Sequence, residues 1–341
     1  MADQSRSRDR VTIYDIAALA GVHPSTVSRA LSTTPTRRVT AETVAKIKSI
    51  ADELGYEANP WAQSLRTQRT QTIGLVLPHF EDFTMGEVFE AATRTAFDSG
   101  YQSITVSTGD DPGRSSQAIR ALVRRRVDGL VIASAHLEDP ALDELRDQGI
   151  PYMLLNRVHR DDPCIRADDE LGAYLAASHL IERGHRRVAL LSGVAGASSA
   201  ELRRDGFTRA FREATISLDP QLIQWSGLGI GSGIELGRRL LQLDEPPTAI
   251  FAANDFVALG VMSAARDLGR RVPDDLALVG YNDTEAGAAL PIPLSSVSVP
   301  LRRMGEEAIR AVIGQIEGEA PRSDVYEPRL VVRASSDSWR A

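Results

Sequence analysis

Hydrophobic residues in the first sixty positions recur at helical spacing in three short segments. The first segment, 12–20, opens with an N-cap pattern and stops at Gly21, which permits a tight turn. The second, 23–31, carries proline at its first helical position, where the missing N–H costs nothing. The third, 40–54, is capped by threonine and ends at a glycine. Helix, four-residue turn and helix in this order predict a helix-turn-helix, whose second helix can enter the major groove of DNA.

From position 72 the pattern changes to short apolar runs that alternate with amphipathic stretches. Seven runs predict buried strands: Ile73–Leu77, Ser103–Val106, Leu130–Ala133, Tyr152–Leu155, Val188–Leu191, Ala249–Ala252 and Leu276–Val279. Helices are predicted between them, including Met85–Ser99, Ala118–Arg126, Gly172–Arg183, Leu202–Ala214, Gly233–Leu241 and Phe256–Leu268. This alternation is typical of α/β proteins, in which helices cover both faces of parallel sheets. Such sheets bind ligands at the carboxyl ends of their strands.

The length of 341 residues exceeds what one hydrophobic core usually serves, so two or three domains are expected. An apolar fraction of 43% and a charged fraction of 25% are ordinary for a soluble globular protein. No apolar run approaches the roughly 18 residues of a membrane span, and no secretory signal follows the polar N-terminus. Cys164 is the only cysteine, which excludes an internal disulfide and a cysteine-based zinc site. Together these properties predict a cytoplasmic protein.

The distribution of charge changes what the net charge of −7 suggests. Up to position 70 there are ten basic and seven acidic residues, a net charge of +3, whereas the remaining chain has 29 basic and 39 acidic residues, a net charge of −10. A small basic module on an acidic body is expected where one domain binds a polyphosphate such as DNA. A solvated basic surface with no partner is the alternative.

The outward face of the second helix carries chemistry suited to DNA. Thr26 and Ser28 are short hydroxyl residues that fit phosphate oxygens. Arg29 can place its guanidinium on O6 and N7 of guanine, a contact worth about 1–3 kcal/mol of base discrimination. The alternative is a small three-helix bundle with an ordinary polar surface, and these residues alone leave it open.

The run V-T-I-Y-D-I-A-A-L-A-G-V-H-P-S-T-V-S-R-A-L at 11–31 resembles the lactose-repressor/galactose-repressor family of bacterial regulators. The resemblance continues through L-G-Y at 54–56 and N-P-W-A-Q-S-L at 59–65. It implies that the DNA backbone is contacted by Tyr14, Thr26 and Ser28, and that the bases are faced by Pro24, Ser25 and Arg29. Because His23 stands where the family most often has a capping serine, the start of the recognition helix is expected to differ slightly.

Residues 59–65 are a second candidate DNA contact. Asn59 is a good N-cap and Pro60 a good first helical residue, yet about two turns are too short to be stable alone in water. We therefore expect this segment to be helical only on DNA. The resemblance implies that two such hinge helices, one per subunit, contact the minor groove through Asn59, Ala62 and Leu65, with Leu65 wedged between base steps. Leu65 as an ordinary linker residue is the alternative.

Polar and aromatic side chains follow the predicted strands and form a candidate ligand pocket. The pocket residues predicted are His79, Phe83, Asn156, Arg203, Asn254 and Asn282. Planar amide and guanidinium groups can form two hydrogen bonds each with a polyol, and an aromatic ring can cover the apolar face of a sugar. Each residue alone also has an ordinary interpretation, such as a turn former for Asn282 or a surface charge for Arg203.

The resemblance extends over the body through R-R-D-G-F at 203–207, F-A-A-N-D at 251–255, V-G-Y-N-D at 279–283 and L-S-S-V-S-V-P at 294–300. It implies a periplasmic-binding-protein-like fold of two lobes around a cleft, linked by three crossings. The predicted division is a flexible tail 1–10, a helix-turn-helix head 11–58, a hinge helix and linker 59–71, and an effector-binding domain 72–341. Lobe one is predicted at about 72–167 and 298–326, and lobe two at about 168–297 and 327–341.

The predicted pocket departs from the resembled family at three positions. Arg203 and Asn254 match positions that commonly hold the effector, but Asn156 and Asn282 stand where sugar-binding members often carry aspartate. An amide donates as well as accepts hydrogen bonds, so the identity of the effector is open. Leu228 occupies a site often filled by an aromatic residue.

Two other classes of protein were weighed against a regulator. A soluble sugar-binding protein without a DNA role would share the two-lobed body, but the helix-turn-helix has no place in it. An enzyme is disfavoured because the glycines at 227–233 fail the dinucleotide pattern and the chain has no P-loop, H-E-x-x-H or G-x-S-x-G motif. The sequence thus predicts a homodimeric, sequence-specific DNA-binding repressor of a palindromic operator, controlled by a sugar-type effector, with no cofactor, metal or membrane partner. The operator, and whether the effector induces or corepresses, are not predicted.

Overall fold

The computed structural model describes residues 11–31, 39–56, 69–79 and 83–337. The chain divides into two compact units, Met1–Thr70 and Gln71–Ala341. None of the helices within these described ranges is long and apolar enough to cross a membrane.

The described part of the first unit contains the three helices that the hydrophobic spacing predicts. They are α1 (Ile13–Ala20), α2 (Pro24–Ala30) and α3 (Ala41–Glu53). Their inward faces form a small core of Ile16, Ala17, Ala20, Val27, Ala30, Ile47 and Ala51. The carboxylate of Asp15 accepts hydrogen bonds from the backbone N–H of Thr12 at 2.8 Å and from its hydroxyl at 2.7 Å. These bonds fix the start of α1, as the N-cap pattern predicts.

The histidine before α2 takes over the role of a capping serine. The Nδ1 atom of His23 accepts a hydrogen bond from the backbone N–H of Ser25 at 3.2 Å and lies 2.9 Å from the Ser25 hydroxyl. One otherwise unsatisfied N–H of the first helical turn is thereby paired. The expected difference at this helix start is therefore a change in the capping group.

The described part of the second unit is built around two six-stranded sheets. The first contains, in spatial order, β11 (Asp324–Tyr326), β5 (Cys164–Ala167), β4 (Tyr152–Leu155), β3 (Gly129–Ile132), β1 (Thr72–Leu77) and β2 (Gln102–Ser107). The second contains β12 (Arg329–Val331), β10 (Ser295–Ser298), β9 (Ala277–Asn282), β8 (Ala249–Ala252), β6 (Val188–Leu191) and β7 (Ile223–Gln224). All neighbouring strands are parallel except β10 and β12.

Helices cover these sheets and complete their cores. They are α4 (Phe83–Asp98), α5 (Pro112–Arg124), α6 (Pro140–Asp147), α7 (Asp169–Glu182), α8 (Ser198–Glu213), α9 (Ile230–Leu241), α10 (Asp255–Asp267), α11 (Glu285–Ala288), α12 (Leu301–Glu317) and α13 (Ala334–Asp337). The chain passes between the sheets three times, after β5, after β10 and between β11 and β12. The expected α/β architecture with a helix-turn-helix is confirmed. The only cysteine, Cys164, is buried in β5.

The seven predicted strands correspond to β1, β2, β3, β4, β6, β8 and β9, and the predicted helices begin later than the observed ones. Helix α5 starts at Pro112, whereas the prediction starts at Ala118, because the Asp111 side chain caps the helix by accepting the N–H of Arg114. The segment between them is polar, so hydrophobic spacing gives no signal there. The short edge strands β7, β11 and β12 have too few residues to show a pattern.

Helices α9 and α10 cross at a contact that only glycine permits. A Cβ added at Gly233 would lie 2.1 Å from the carbonyl oxygen of Val257, and one added at Gly260 would lie 2.1 Å from the carbonyl oxygen of Ile230. Both obstacles are backbone atoms of the partner helix, so neither can move without separating the helices. Gly231, in the first turn of α9, has no atom within 4 Å of its added Cβ.

Gly233→Ala should therefore lower the free energy of unfolding of the second unit by about 1–3 kcal/mol, the usual cost of overpacking. The matched change Gly231→Ala should leave it unchanged or raise it by up to about 1 kcal/mol, because alanine favours helix and meets no clash. Scanning calorimetry of both variants measures the effect. Equal melting temperatures for the two variants would contradict the proposed close contact.

Candidate functional site

The residues expected to contact DNA in the head lie on α1 and α2. Tyr14 is 71% exposed. Ser25 is also exposed, while Pro24, Thr26, Ser28 and Arg29 are partly exposed. Helix α2 buries Val27 and Ala30 on its other face. Asn59, Ala62 and Leu65 of the expected hinge lie outside the described residues.

Arg29 is folded along its own helix. Its Nε donates to the backbone oxygen of Ser25 at 2.9 Å, and its Nη2 donates to the Ser25 hydroxyl at 2.9 Å. Two of the residues expected to face bases are thus joined at the first turn of α2. A guanine would have to compete with these bonds for the guanidinium.

A cleft of about 550 Å³, its open mouth included, lies where the carboxyl ends of the two sheets face each other. It is lined by Pro78, Met85, Asp110, Ala133, Asn156, Arg157, Ser192, Gly193, Val194, Ala197, Ser199, Ala200, Arg203, Leu228, Ala253, Asn254 and Asn282. In each sheet the order of strands reverses direction between the first and the third strand of the chain, at β1/β3 and at β6/β8. Ligands of open parallel sheets bind at such reversal points, so the topology itself marks this cleft.

Arg203 on α8 is the best-held polar group of the cleft. The residue is 5% exposed, and its guanidinium donates to Asp169 Oδ1 from Nε at 2.9 Å and to the carbonyl oxygen of Ala253 from Nη1 at 2.7 Å. Its Cζ lies 3.9 Å from the ring centroid of Tyr281. Burial lowers the pKa of Arg203, but the Asp169 carboxylate outweighs it and holds that pKa above its ordinary value. Arg203 is therefore a fixed, charged donor and not a surface residue.

Asn254 and Asn282 are positioned by the buried carboxylate of Asp255. Asn254 caps α10, with Oδ1 accepting the N–H of Val257 at 2.8 Å and Nδ2 donating to the carbonyl oxygen of Leu228 at 2.9 Å. Asp255 accepts from the N–H of Thr284 at 2.7 Å, next to Asn282 in the loop after β9, and from the hydroxyl of Ser296 at 2.6 Å. One carboxylate thus ties together the loops after β8 and β9.

Four of the six predicted pocket residues meet in this cleft: Asn156, Arg203, Asn254 and Asn282. His79 does not line it; this residue lines a shallower depression against α4, with Met85 and Phe89 among its neighbours. Phe83 begins α4, and its side chain lies outside the described residues. The cleft therefore draws its polar groups from both sheets.

Several polar residues of the cleft were absent from the predicted set. Arg157 follows Asn156 directly, Asp110 lies in the turn after β2, and Asp169 pairs with Arg203 from α7. Ser192 and Ser199 line the cleft as well. Arg157 and Ser192 follow predicted strands and could have been found from that position. Asp110 could not, because a D-D-P turn looks like an ordinary helix start. Among the described residues, no group of His, Cys, Asp and Glu side chains could hold a metal ion.

Sequence and structure comparisons point to one family. Residues 12–59 match the family described as bacterial regulatory proteins, lacI family, and residues 177–336 match the periplasmic binding protein-like domain. The HTH-type transcriptional regulator DegA of Bacillus subtilis (strain 168) is 33% identical over 96% of this chain and 98% of its own.

Two solved structures extend the comparison to the fold. The transcriptional regulator CelR in complex with cellobiose is 30% identical, with a TM-score of 0.73 over 96% of this chain and all of its own. The lac repressor dimer bound to operator and the anti-inducer ONPF is 27% identical, with a TM-score of 0.86 over 96% of this chain and 99% of its own.

Burial raises the pKa of Asp255 to about 6, against the hydrogen bonds from Ser296 and Thr284 that lower it. Because this pKa is higher in the folded than in the unfolded protein, its stabilising effect is complete below about pH 4 and is lost as the pH rises through 6. Asp255→Asn should remove this dependence. Wild type should therefore lose up to about 3 kcal/mol of stability relative to the variant between pH 4 and pH 7.

Chemical denaturation at a series of pH values measures this difference. Asp98→Asn, at the exposed end of α4, is the control and should show no such pH-dependent difference. A wild-type minus Asp255→Asn difference that stays constant across this range would contradict the raised pKa.

Proposed function

The chain belongs to the lacI family of bacterial regulatory proteins, which makes it a DNA-binding transcription regulator, and we propose that a sugar-type molecule bound in the cleft controls its affinity for an operator. The observation that carries the proposal is the meeting of four polar side chains from both sheets around one cleft. An effector held by both sheets stabilises whichever arrangement brings them together. Repression of the regulated gene is the direction we propose.

The chemistry of the cleft supports a polyhydroxyl effector. Arg203, Asn156, Asn254 and Asn282 offer planar guanidinium and amide groups, each able to form paired hydrogen bonds with neighbouring hydroxyls. CelR, 30% identical to this chain, is known in complex with cellobiose, a disaccharide. Leu228 lines the cleft without an aromatic ring, so we expect hydrogen bonds to contribute more than stacking on that side.

We propose that the protein acts as a homodimer on a palindromic operator. One helix-turn-helix contacts only a half-site, and a two-fold axis lets two heads bind both halves of an inverted repeat. The lac repressor, 27% identical, has been solved as a dimer bound to operator. Since the DNA of a bacterium lies in its cytoplasm, we expect the protein to act there. A sugar-binding protein without a DNA role, or an enzyme, is the class of function that we set aside.

The division of labour along the chain follows from this proposal. We assign 11–58 to DNA binding, 59–71 to a hinge helix and linker, and 72–341 to effector binding. We propose that lobe one comprises about 72–167 and 298–326, and lobe two about 168–297 and 327–341. Rotation of the lobes about the three crossings would change the spacing of the two heads. An effector can alter operator affinity only by its difference in affinity for the two arrangements, typically about 1–3 kcal/mol.

Selection of operator sequences from random DNA, repeated with a panel of sugars, tests the function directly. We expect an inverted repeat to be enriched and its binding to change with one compound. Enrichment of no sequence, with sugar binding retained, would contradict the proposed DNA-binding function and favour a sugar-binding protein. Whether the compound releases or promotes binding distinguishes induction from corepression.

Arg29→Ala should weaken binding to the selected operator about 5- to 150-fold, the loss expected for one bidentate contact to guanine. Arg29→Lys keeps the charge but lacks the fork, so it should lose the preference for that base pair while retaining the salt dependence of binding. Fluorescence anisotropy with operators altered at single base pairs measures both effects. Unchanged base preference in both variants would remove Arg29 from base recognition.

Arg203→Lys should abolish most of the effector response while leaving operator affinity intact. Lysine can pair with Asp169 but cannot also hold the carbonyl oxygen of Ala253 and a ligand in one plane. The matched control is Arg209→Lys, since Arg209 joins the same two helices through Glu170, away from the cleft. Operator binding titrated with effector is the measurement. A normal response in Arg203→Lys, or an equal loss in both variants, would contradict the role of Arg203 in the cleft.

A further inference from the structure

Asp110 lies on the far side of the cleft from Arg203, in the turn that links β2 to α5. Its backbone has φ 58°, in the left-handed region, between a glycine and the residue that caps α5. Asp tolerates this region better than most residues, yet the conformation still costs free energy. The turn directs the side chain into the cleft, where only 4% of its surface is exposed.

Both carboxylate oxygens of Asp110 are buried and have no hydrogen-bond partner within the described protein. The nearest cationic groups, His136 Nε2 and Arg157 Nη2, each lie 3.8 Å from Oδ1, too far for a hydrogen bond. His136 Nε2 instead lies 3.2 Å from the backbone oxygen of Asp110, so it supports the turn. A buried carboxylate is costly unless donors reach it, and the open side of this one is the cleft.

Arg157 faces Asp110 with part of its guanidinium in use. Its Nη1 donates to the backbone oxygen of Asn156 at 2.9 Å and to the hydroxyl of Ser199 at 3.3 Å. Its Nε is buried without a partner in the described protein. Burial, together with the nearby charge of Arg203 and against the attraction of Asp110, lowers the pKa of Arg157. Donor and acceptor groups therefore stand side by side with unused hydrogen-bonding capacity.

The charges in the cleft cancel. Arg203 is paired with Asp169 at 2.8 Å, and Arg157 stands beside Asp110. Two cations and two anions leave no net charge with which to attract an ionic effector. An ion entering the cleft would lose its hydration without gaining an opposite charge of its own.

We propose that Asp110 and Arg157 form a binding subsite for a hydroxyl group of the effector and restrict the cleft to neutral polyhydroxyl compounds. A hydroxyl in the gap between them donates to the carboxylate and accepts from the guanidinium, and an oxygen at ordinary hydrogen-bond length from each spans 3.8 Å. An ammonium group would be repelled by Arg157, and a carboxylate or phosphate by Asp110. This inference rests on the proposed effector site and narrows its ligand class.

Direct binding to the purified full-length protein tests the proposal without DNA. The probes are neutral sugars, namely glucose, ribose, galactose, maltose and cellobiose, together with glucosamine, glucuronate and glucose 6-phosphate, measured by isothermal titration calorimetry. We expect at least one neutral sugar to bind, and to bind more tightly than every charged probe. Binding of none of the neutral sugars, or tighter binding of a charged probe, would overturn the proposal. Loss of operator selection with neutral-sugar binding intact would instead contradict only the DNA-binding function.

Asp110→Asn provides a second, independent result. The change keeps the shape but removes one acceptor and the negative charge, so affinity for the neutral ligand should fall about 10- to 100-fold. Arg157 is then uncompensated, so affinity for glucuronate and glucose 6-phosphate should rise. This opposite movement would not result from a general loss of stability.

Asp147→Asn is the matched control, because Asp147 is an exposed carboxylate at the end of α6. It should leave all probe affinities unchanged. Melting temperatures of both variants report folding. Unchanged neutral-ligand affinity in folded Asp110→Asn, or a parallel fall for neutral and anionic probes, would overturn the subsite.

Discussion

A parallel sheet presents all its strand-to-helix loops at one edge, and this constraint determines where the described second unit can carry chemistry. Both of its sheets have the same strand order, so each offers one edge and one reversal point, and the two edges face each other. The apolar strands supply rigidity, while the loops after them supply Asn156, Asn254 and Asn282. The sugar-type cleft is therefore a consequence of topology first and of side-chain choice second.

The buried ions of the cleft depend on that rigidity. Arg203 can remain charged inside the protein only because Asp169, the carbonyl oxygen of Ala253 and the ring of Tyr281 are held in place by α7, β8 and β9. Asp255 plays the matching role beneath the loops, at the cost of a raised pKa. Asp110 differs, since its carboxylate is held by a turn and left without a partner. Structural and recognition charges are thus distinguished by whether the protein completes their hydrogen bonds.

Sequence patterns predicted the strands, the three helices of the head and four residues of the cleft, because each leaves a local signal. Helix starts were placed late where the first turn is polar, as before Ala118, since capping by Asp111 depends on one side chain and not on periodicity. The partner of Arg203 lies 34 positions away on another helix, a distance that no spacing rule covers. His79 was expected in the cleft because it follows a strand, but its side chain lies toward α4.

The single buried cysteine has a practical consequence for following the lobes in solution. Cys164 is enclosed within β5, and a thiol in such surroundings reacts slowly with alkylating reagents. A cysteine introduced at an exposed position of either lobe would therefore accept a fluorophore or spin label almost alone. Pairs of such labels would convert cleft closure into a measurable distance, without prior removal of any native thiol.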